Sequence, residues 1–480
     1  MSSEMSGLAA LERQVARELD LLAYPAAPWV APMTGPDGLP VLDCAVIGAG
    51  QFGLAVGGLL MRERVTNFQI FDSALPGREG PWVTFARMAM LRTPKDLSGP
   101  ELGLPSLSFR AFWEAQHGAE GWARMYRVPR TGWMDYLNWF RRVIALPVSN
   151  GWRLTGMEPV AEGQLLRLTF ATPAGVAVRH AKTVVMATGA AGGGGYTLAP
   201  VLRGLPAGRA LHANDTFDPA CFAGQRVGVL GAGAAAFDVA ITALQAGAIS
   251  AEVACRRAEL PRDNPRRWME NAGMLAHYVD LPDATKWAYI HALRQIGQPP
   301  PQPTFDTAMA LPDFRLATGM PWDSVRWTGS EILVEGGGQT RGYDLVVEAS
   351  GFQSDIALRP ECAALAPVIA RWSDRFTPPA GQQEARMARQ PYLDRLGAFT
   401  EKDPGRAPWV TRVLTITGNA GLSLGPIASS ISAMKYVAPR LVEGVKRQLL
   451  LDQQAQDWAL FETLDHAELR PFTLPAQAAA

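Results

Sequence analysis

The chain of 480 residues is 48% hydrophobic and 19% charged, with 45 Lys plus Arg balancing 45 Asp plus Glu. Zero net charge offers no global attraction to nucleic acid or an anionic membrane, so neither is an expected partner, and the length predicts two α/β units rather than one core. The four cysteines (Cys44, Cys221, Cys255, Cys362) form no C-x-x-C pair, which argues against a disulfide framework or metal site and for a reduced, cytoplasmic setting.

Residues 7–22 show helical periodicity, with Leu8, Leu11, Val15, Leu19 and Leu22 on one side. Neither this segment nor any later one has the roughly 18-residue apolar run of a membrane span, and no signal peptide is read at the start. A Pro-rich arm (Pro25, Pro28, Pro32, Pro36, Pro40) leads to a strand at 44–47, a helix at 52–64 and a strand at 68–71, a βαβ unit. Residues 75–145 are rich in Trp, Arg, Pro and Gly and read as irregular; strands at 152–154, 165–170 and 176–180 form a meander, closed by Thr183-Val-Val-Met-Ala-Thr-Gly189. A second unit has a strand at 227–230, a helix at 235–245 and a strand at 251–255. Residues 263–300 read as helical, and further short strands end in Asp344-Leu-Val-Val-Glu-Ala-Ser-Gly351. Val413-Leu-Thr-Ile-Thr-Gly418 and a helix at 426–445 follow.

The same plan thus occurs twice, which predicts an α/β fold of two Rossmann-like dinucleotide-binding domains, each with a small β-meander. The expected boundaries are 1–40 for the N-terminal helix and arm, 41–205 with 355–465 for one discontinuous domain, 206–354 for the other, and 466–480 for a tail.

Two loops carry the chemistry. Gly48-Ala-Gly50-Gln51-Phe52-Gly53 follows a strand and opens a helix. One glycine permits the tight turn, one lets backbone approach a pyrophosphate, and one lets helix and strand pack closely. The pyrophosphate then sits on the N–H groups at the positive end of the helix. Asp72 ends the next strand, about 20 residues on, where an acid accepts hydrogen bonds from a ribose. The second loop is Gly231-Ala-Gly233-Ala234-Ala-Ala236, with a tolerated alanine in third place. Arg256 and Arg257 stand where Asp72 stands in the first unit. Arginine binds a 2′-phosphate with a fork of donors, which favours NADPH over NADH without excluding NADH. The alternative is a solvated surface pair, with Asp238 serving the following helix's N-terminus.

Two such loops, closed by Ala-Thr-Gly189 and Ala-Ser-Gly351, resemble the two-dinucleotide-binding-domain flavoproteins, in which the first site holds FAD and the second NAD(P)H. The resemblance covers about Val41 to Glu443. Gly77-Arg-Glu-Gly-Pro-Trp82 resembles the Gly-Gly-x-Trp segment of flavin-containing monooxygenases, and Arg92-Thr-Pro-Lys95 the Asn-x-Pro-Lys segment near the flavin ring. Gly425-Pro-Ile-Ala-Ser-Ser430 resembles a loop and helix start facing the flavin pyrimidine, where a helix N-terminus stabilises the anionic reduced flavin. A bacterial subgroup that includes an FAD-dependent urate hydroxylase is similar further still. It shares Tyr24-Pro25, Pro28-Trp29-Val30, Gly80-Pro-Trp-Val-Thr-Phe-Ala-Arg-Met88, Gly103-Leu-Pro-Ser-Leu107, Pro261-Arg262 and Asn264-Pro265. The monooxygenase motif F-x-G-x-x-x-H-x-x-x-[YF] is degraded to Pro206, Gly208, His212 and Thr216, with Phe217 one step late, and His212 reads as structural.

The resemblance implies an NAD(P)H- and FAD-dependent monooxygenase, whose partners are O₂ and a small substrate, urate among the candidates. The reduced flavin would take up O₂ as a C4a-(hydro)peroxide and pass one oxygen atom on. The flavin carries the chemistry, so no side-chain nucleophile is required. Arg92 and Lys95 are the candidates for holding an anionic substrate, the alternative for both being contact with the flavin or with a surface carboxylate, and Arg92 is also counted among the flavin contacts. FAD contacts are expected from Gly48, Gly50, Gln51, Phe52, Gly53, Asp72, Trp82, Gly189, Gly418 and Pro426. Contacts to NADP are expected from Gly231, Gly233, Ala234, Ala236, Arg256, Arg257 and Gly351. The alternatives are an N-oxygenase of an amine or amino acid and a non-catalytic flavoprotein redox module. A thioredoxin-reductase-type enzyme would need a redox cysteine pair that the chain lacks.

Overall fold

The computed structural model describes residues 2–22, 27–96 and 99–473; Tyr24 and Pro25 of the arm lie outside the described residues. Helix α1 (Ser2–Leu21) precedes the arm. The arm is laid along the first unit by Trp29, whose indole donates to the Glu63 carbonyl at 2.9 Å, and by Lys182, which donates to the Ala31 carbonyl at 2.8 Å.

The first sheet begins with β1 (Leu42–Ile47), whose residues after the first are all buried, as a strand covered on both faces requires. Helix α2 (Gln51–Arg62) crosses over to β2 (Phe68–Asp72), parallel to β1. Then come α3 (Phe109–Arg124), α4 (Arg130–Val143), β3 (Val148–Asn150), β4 (Arg153–Val160), β5 (Leu165–Thr172) and β6 (Gly175–Met186). The order is β3-β2-β1-β6-β5-β4. Strand β6 serves two purposes. Its first half is antiparallel to β5 in the meander, and its second half is parallel to β1. The meander strand and the apolar strand closing it, expected as two, are therefore one continuous 12-residue strand.

The segment expected to be irregular holds α3 and α4. Its aromatics are core: Phe109, Phe112, Trp133, Tyr136, Trp139 and Phe140 are all buried, with Phe109 and Tyr136 edge-to-face at 5.5 Å. Gly118, at φ 68°, breaks α3 and with it the 3.6-residue pattern by which a helix is recognised.

The second sheet is wholly parallel, in the order β10-β9-β8-β14-β7. Its strands are β7 (Ala210–His212), β8 (Arg226–Leu230), β9 (Ser250–Ala254), β10 (Phe314–Ala317) and β14 (Leu345–Glu348). Helix α5 (Ala234–Gln245) joins β8 to β9, and β11 (Ser324–Trp327), β12 (Ile332–Gly336) and β13 (Gln339–Tyr343) form the separate meander. Strand β15 (Val413–Thr415) returns to pair with β6. Accordingly, one large core takes residues from Val15 to Ala187 and again from Ile356 to Leu449, joined by Val279 from between them.

The segment expected to be helical over 263–300 is three pieces, Pro265–Trp268, Ala272–His277 and Asp283–Ile296. Its Trp287 packs not on the second sheet but with Trp372, Met387 and Leu422. The helix expected from Pro426 starts instead at Met434 and runs to Glu462. Ser430 caps a short turn, its hydroxyl accepting from the Ala433 amide at 3.3 Å, a local bond that competes with helical continuation upstream. Among the described residues no helix is long and apolar enough to cross a membrane, and no cluster of three or more His, Cys, Asp or Glu could hold a metal.

Candidate active site

The two glycine loops have one geometry. The Gly48 amide donates to the Phe71 carbonyl at 2.7 Å, and the Gly231 amide to the Ala254 carbonyl at 2.9 Å. Gly48 has φ +107° and Gly231 φ +122°, a region that strongly favours glycine. A Cβ on Gly48 would stand 2.5 Å from the Ala187 carbonyl oxygen, and one on Gly231 2.7 Å from that of Ala349. These contacts lock each loop against the strand end carrying Ala187-Thr188-Gly189 or Ala349-Ser350-Gly351. A Cβ on Gly53 would overlap the Gly48 carbonyl, while Ala236 fits fully buried in the second loop.

Gly50 and Gly233 differ from these. Their φ values, −70° and −78°, suit any residue, and a Cβ on either would meet nothing within 4 Å. Neither conformation nor packing inside the protein calls for glycine. Each is the N-cap of a 12-residue helix, α2 or α5, that no side chain caps. Open space against unsatisfied N–H groups at a positive helix end is the cradle an anionic diphosphate needs. Gly189 and Gly351 likewise face open space, and the Thr188 hydroxyl is buried without a partner. The residues present therefore fit a dinucleotide at both loops.

Around the first loop, Asp72 accepts from the Ala49 and Ala74 amides, both at 2.7 Å. Burial pushes its carboxyl up, against the opposing pull of those amides. Its resolved partners are thus the loop's own Ala49 amide and the Ala74 amide just past β2, so it ties the loop to the end of that strand. Phe52 is buried, and Gln51 accepts from the Trp133 indole at 3.3 Å. Trp133 in turn meets Trp82 edge-to-face at 6.5 Å. Gly418 packs on Ala190, and Asn419, fully enclosed, donates to the Gly193 carbonyl at 2.7 Å. Pro426 lines a small apolar pocket with Met269, Met274 and Tyr278 from the helical segment of the second unit. The helix N-terminus expected there is absent, since Pro426–Ser430 is a turn. Trp133 and Asn419 were not singled out from sequence, and no motif marks them, whereas Thr188 lies within the Ala-Thr-Gly189 motif without being named as a site residue.

Beside Gln51 and Trp133 lies a second small pocket, lined by Leu91, Thr93, Pro94, Lys95, Phe109, Val128, Trp133 and Ile431. Lys95 is the one charged residue of that lining. Its ammonium donates to the Trp122 carbonyl at 2.8 Å and lies 4.8 Å from the Trp122 ring. Arg92 is placed differently from expectation. Its guanidinium bonds the carboxylate of Asp238 on α5, so its charge is matched by an acid and is not offered to a substrate anion. Asp238 in turn is no N-terminal charge for α5 but a buried ion-pair partner. The sequence signal was there, since Asp238 is the lone charged residue of α5.

At the second loop the register moves the expected match by one residue. Phe71 and Ala254 are equivalent, so the counterpart of Asp72 is Cys255, and Arg256 follows it. Arg257 is committed elsewhere, its guanidinium donating to the carbonyls of Gln295 at 2.9 Å and Ile296 at 3.4 Å, the C-terminus of the helix Asp283–Ile296. Arg256 is exposed. Ala234 opens α5 beside the Gly233 cradle. His212 is buried, stacked on Tyr196 at 4.3 Å, and accepts from the Asn214 amide at 3.1 Å. Burial pushes its imidazole down toward the neutral form.

Two units, each with parallel strands around a diphosphate cradle, the first backed by an aromatic wall and a small pocket, define a flavoprotein oxidoreductase that uses a nicotinamide dinucleotide. Residues 45–191 match the FAD-NAD(P)-binding family. Over 475 residues the chain is 40% identical to the FAD-dependent urate hydroxylase of Xanthomonas campestris, covering 98% of this chain and 100% of the relative. The chain belongs to that flavoprotein hydroxylase family, and it is an FAD- and NAD(P)H-dependent monooxygenase. The fold is shared with ornithine hydroxylase from Pseudomonas aeruginosa, at TM-score 0.67 and 16% identity over 85% of this chain and all of that one. It is also shared with the cadaverine monooxygenase of Erwinia amylovora, at TM-score 0.64 and 14% identity over 92% of this chain and all of that one.

Proposed function

We propose that the enzyme hydroxylates urate or a closely similar purine anion, with FAD on the Gly48–Gly53 loop and NADPH on the Gly231–Ala236 loop. The whole-length relationship to a urate hydroxylase carries the choice of substrate. In this reading residues 41–205 and 355–465 form the FAD domain and residues 206–354 the NADPH domain. The segment 265–296 belongs to the second by sequence and packs on the C-terminal section of the first.

FAD held on the Gly48–Gly53 loop would supply the redox chemistry, passing electrons from NADPH to O₂ so that one oxygen atom could enter the substrate and the other leave as water. The protein's own residues bind and enclose. The α2 N-terminus and the open side of Gly50 hold the pyrophosphate, while Asp72 keeps the loop's shape. Trp133 walls the pocket, with Trp82 packed against it, and helps exclude water. Lys95 supplies the positive charge that orients a substrate anion. A primary amine, cationic at neutral pH, would meet that same charge as repulsion, which favours urate over an N-oxygenase substrate.

Lys95→Met is expected to raise the KM for urate roughly tenfold or more, as loss of one charged hydrogen bond of about 1.5–3 kcal/mol requires. FAD content and the slow NADPH oxidation without substrate should be unchanged, and more hydrogen peroxide should be released per NADPH consumed. If urate fails to stimulate NADPH oxidation by the native enzyme while ornithine, lysine or cadaverine yields a hydroxylamine, the N-oxygenase reading replaces this one.

A further inference from the structure

The segment from Phe85 to Lys95 is tied to both units at once. On the first unit, the Leu91 amide donates to the Val128 carbonyl at 2.8 Å, Arg130 Nε to the Met88 carbonyl at 3.0 Å, and Lys95 to Trp122. On the second, Arg87 donates to the Ala213 carbonyl at 2.5 Å and the Asp215 carbonyl at 2.9 Å, and its guanidinium lies 3.8 Å from the Phe217 ring centre. Residues 213–217 directly follow β7, the edge strand of the second sheet. Five residues after Arg87, Arg92 bonds Asp238.

Asp238 is hard to explain from its own unit. Helix α5 is otherwise uncharged, and Asp238 is 7% exposed with Phe237, Val239 and Ala240 buried beside it. An ionised carboxylate there is costly unless paired. The partner comes from the other unit, out of the segment next to the Lys95 pocket. Burial pushes the Asp238 carboxyl up, and Arg92 and then Arg87 pull it back. Asp238 also sits about one turn into the helix that opens at the Gly233 cradle, so its ion pair ties that helix as a body to the first unit.

We propose that Arg92–Asp238, together with the Arg87 contacts, is an inter-unit latch that sets how the nicotinamide-binding unit faces the flavin, with Asp238 a positioning residue for hydride transfer. The inference rests on the cofactor placement proposed above. Asp238 touches neither glycine-loop diphosphate cradle, so its removal acts through orientation rather than through binding of either cofactor.

The test compares the native enzyme, Asp238→Asn, and the reciprocal exchange Arg92→Asp with Asp238→Arg. Asp238→Asn keeps the side chain's shape, and its FAD content and reduction by dithionite should match the native enzyme. Anaerobic reduction of its flavin by NADPH should slow at least about tenfold, with NADP⁺ affinity changed less than about threefold. The reciprocal exchange should recover a substantial part of the rate. In flavin-free protein, amide hydrogen exchange should rise together at residues 87–92 and 234–245 in Asp238→Asn and fall again in the exchange variant. Native reduction rates and native exchange in Asp238→Asn would overturn the latch, as would slowing accounted for by lost NADP⁺ affinity. Failure of the native protein to bind FAD or NADPH would instead overturn the cofactor placement, and the hydrogen-exchange arm would still decide whether the two units are latched.

Discussion

Replacing Gly50 with Val is expected to give a folded protein that does not retain FAD. The reason lies in what surrounds each glycine of the loop. At Gly53 a side chain would overlap the Gly48 carbonyl, so Gly53→Val should damage the turn itself and lower the melting temperature. At Gly50 a Cβ would meet nothing within 4 Å, and φ is −70°. Gly50→Val should therefore melt like the flavin-free native protein. Its two methyl groups would fill the space where a diphosphate approaches the α2 N-terminus. Displacing the ligand from those N–H groups and overpacking the cradle should weaken FAD by about 2.7 kcal/mol or more, roughly a hundredfold. Flavin absorbance per chain after gel filtration, set beside the melting temperature of flavin-free protein, separates the two effects. Stoichiometric flavin in Gly50→Val would remove the first loop from the FAD site.

Much of the fold could be read because local signals and tertiary structure agree. Strand β1, helix α2 and strand β2 fall within two residues of the sequence expectation, as do β8 and α5. Each combines an apolar run, a glycine turn and helical periodicity, and burial in a parallel sheet reinforces all three. The failures have local causes. In α3 and α4 the Trp and Arg content suggested irregular chain, yet the aromatic rings face one another in the core while the arginines reach outward, to carbonyls as Arg130 does, or to carboxylates as Arg141 does to Glu79. The C-terminal helix begins eight residues late because Pro426 and the Ser430 cap favour a turn. At the site, the glycines could be read because each answers a requirement visible in the motif, Gly48 and Gly231 for the turn, Gly53 for packing, and Gly50 and Gly233 for the approach of a diphosphate. Arg92 and Arg257 could not, because the groups they bind, Asp238 and the Gln295 and Ile296 carbonyls, are brought to them only by the fold. A cation next to a motif says where charge is, and tertiary structure decides which acceptor takes it.

That distinction separates the two adjacent arginines at the second loop, which are expected to behave differently when replaced. Arg257 donates to the last carbonyls of the helix Asp283–Ile296, where a cation offsets the negative helix end by about 0.3–1 kcal/mol. Arg257→Ala should lower the melting temperature slightly and alter NADPH and NADH kinetics alike. Arg256 follows Cys255, the counterpart of Asp72, and is exposed, which leaves it accessible to a ribose 2′-phosphate at the end of that strand. Arg256→Ala should raise the KM for NADPH roughly ten- to a hundredfold, the equivalent of losing charge-assisted bonds worth about 1.5–3 kcal/mol. NADH has no 2′-phosphate, so its KM should stay within about twofold. The measurement is flavin reduction by each dinucleotide in both variants, beside melting temperatures. Equal changes for NADPH and NADH in Arg256→Ala would mean that no 2′-phosphate sits there, and selectivity lost in Arg257→Ala would mean that its helix contacts give way when the dinucleotide binds.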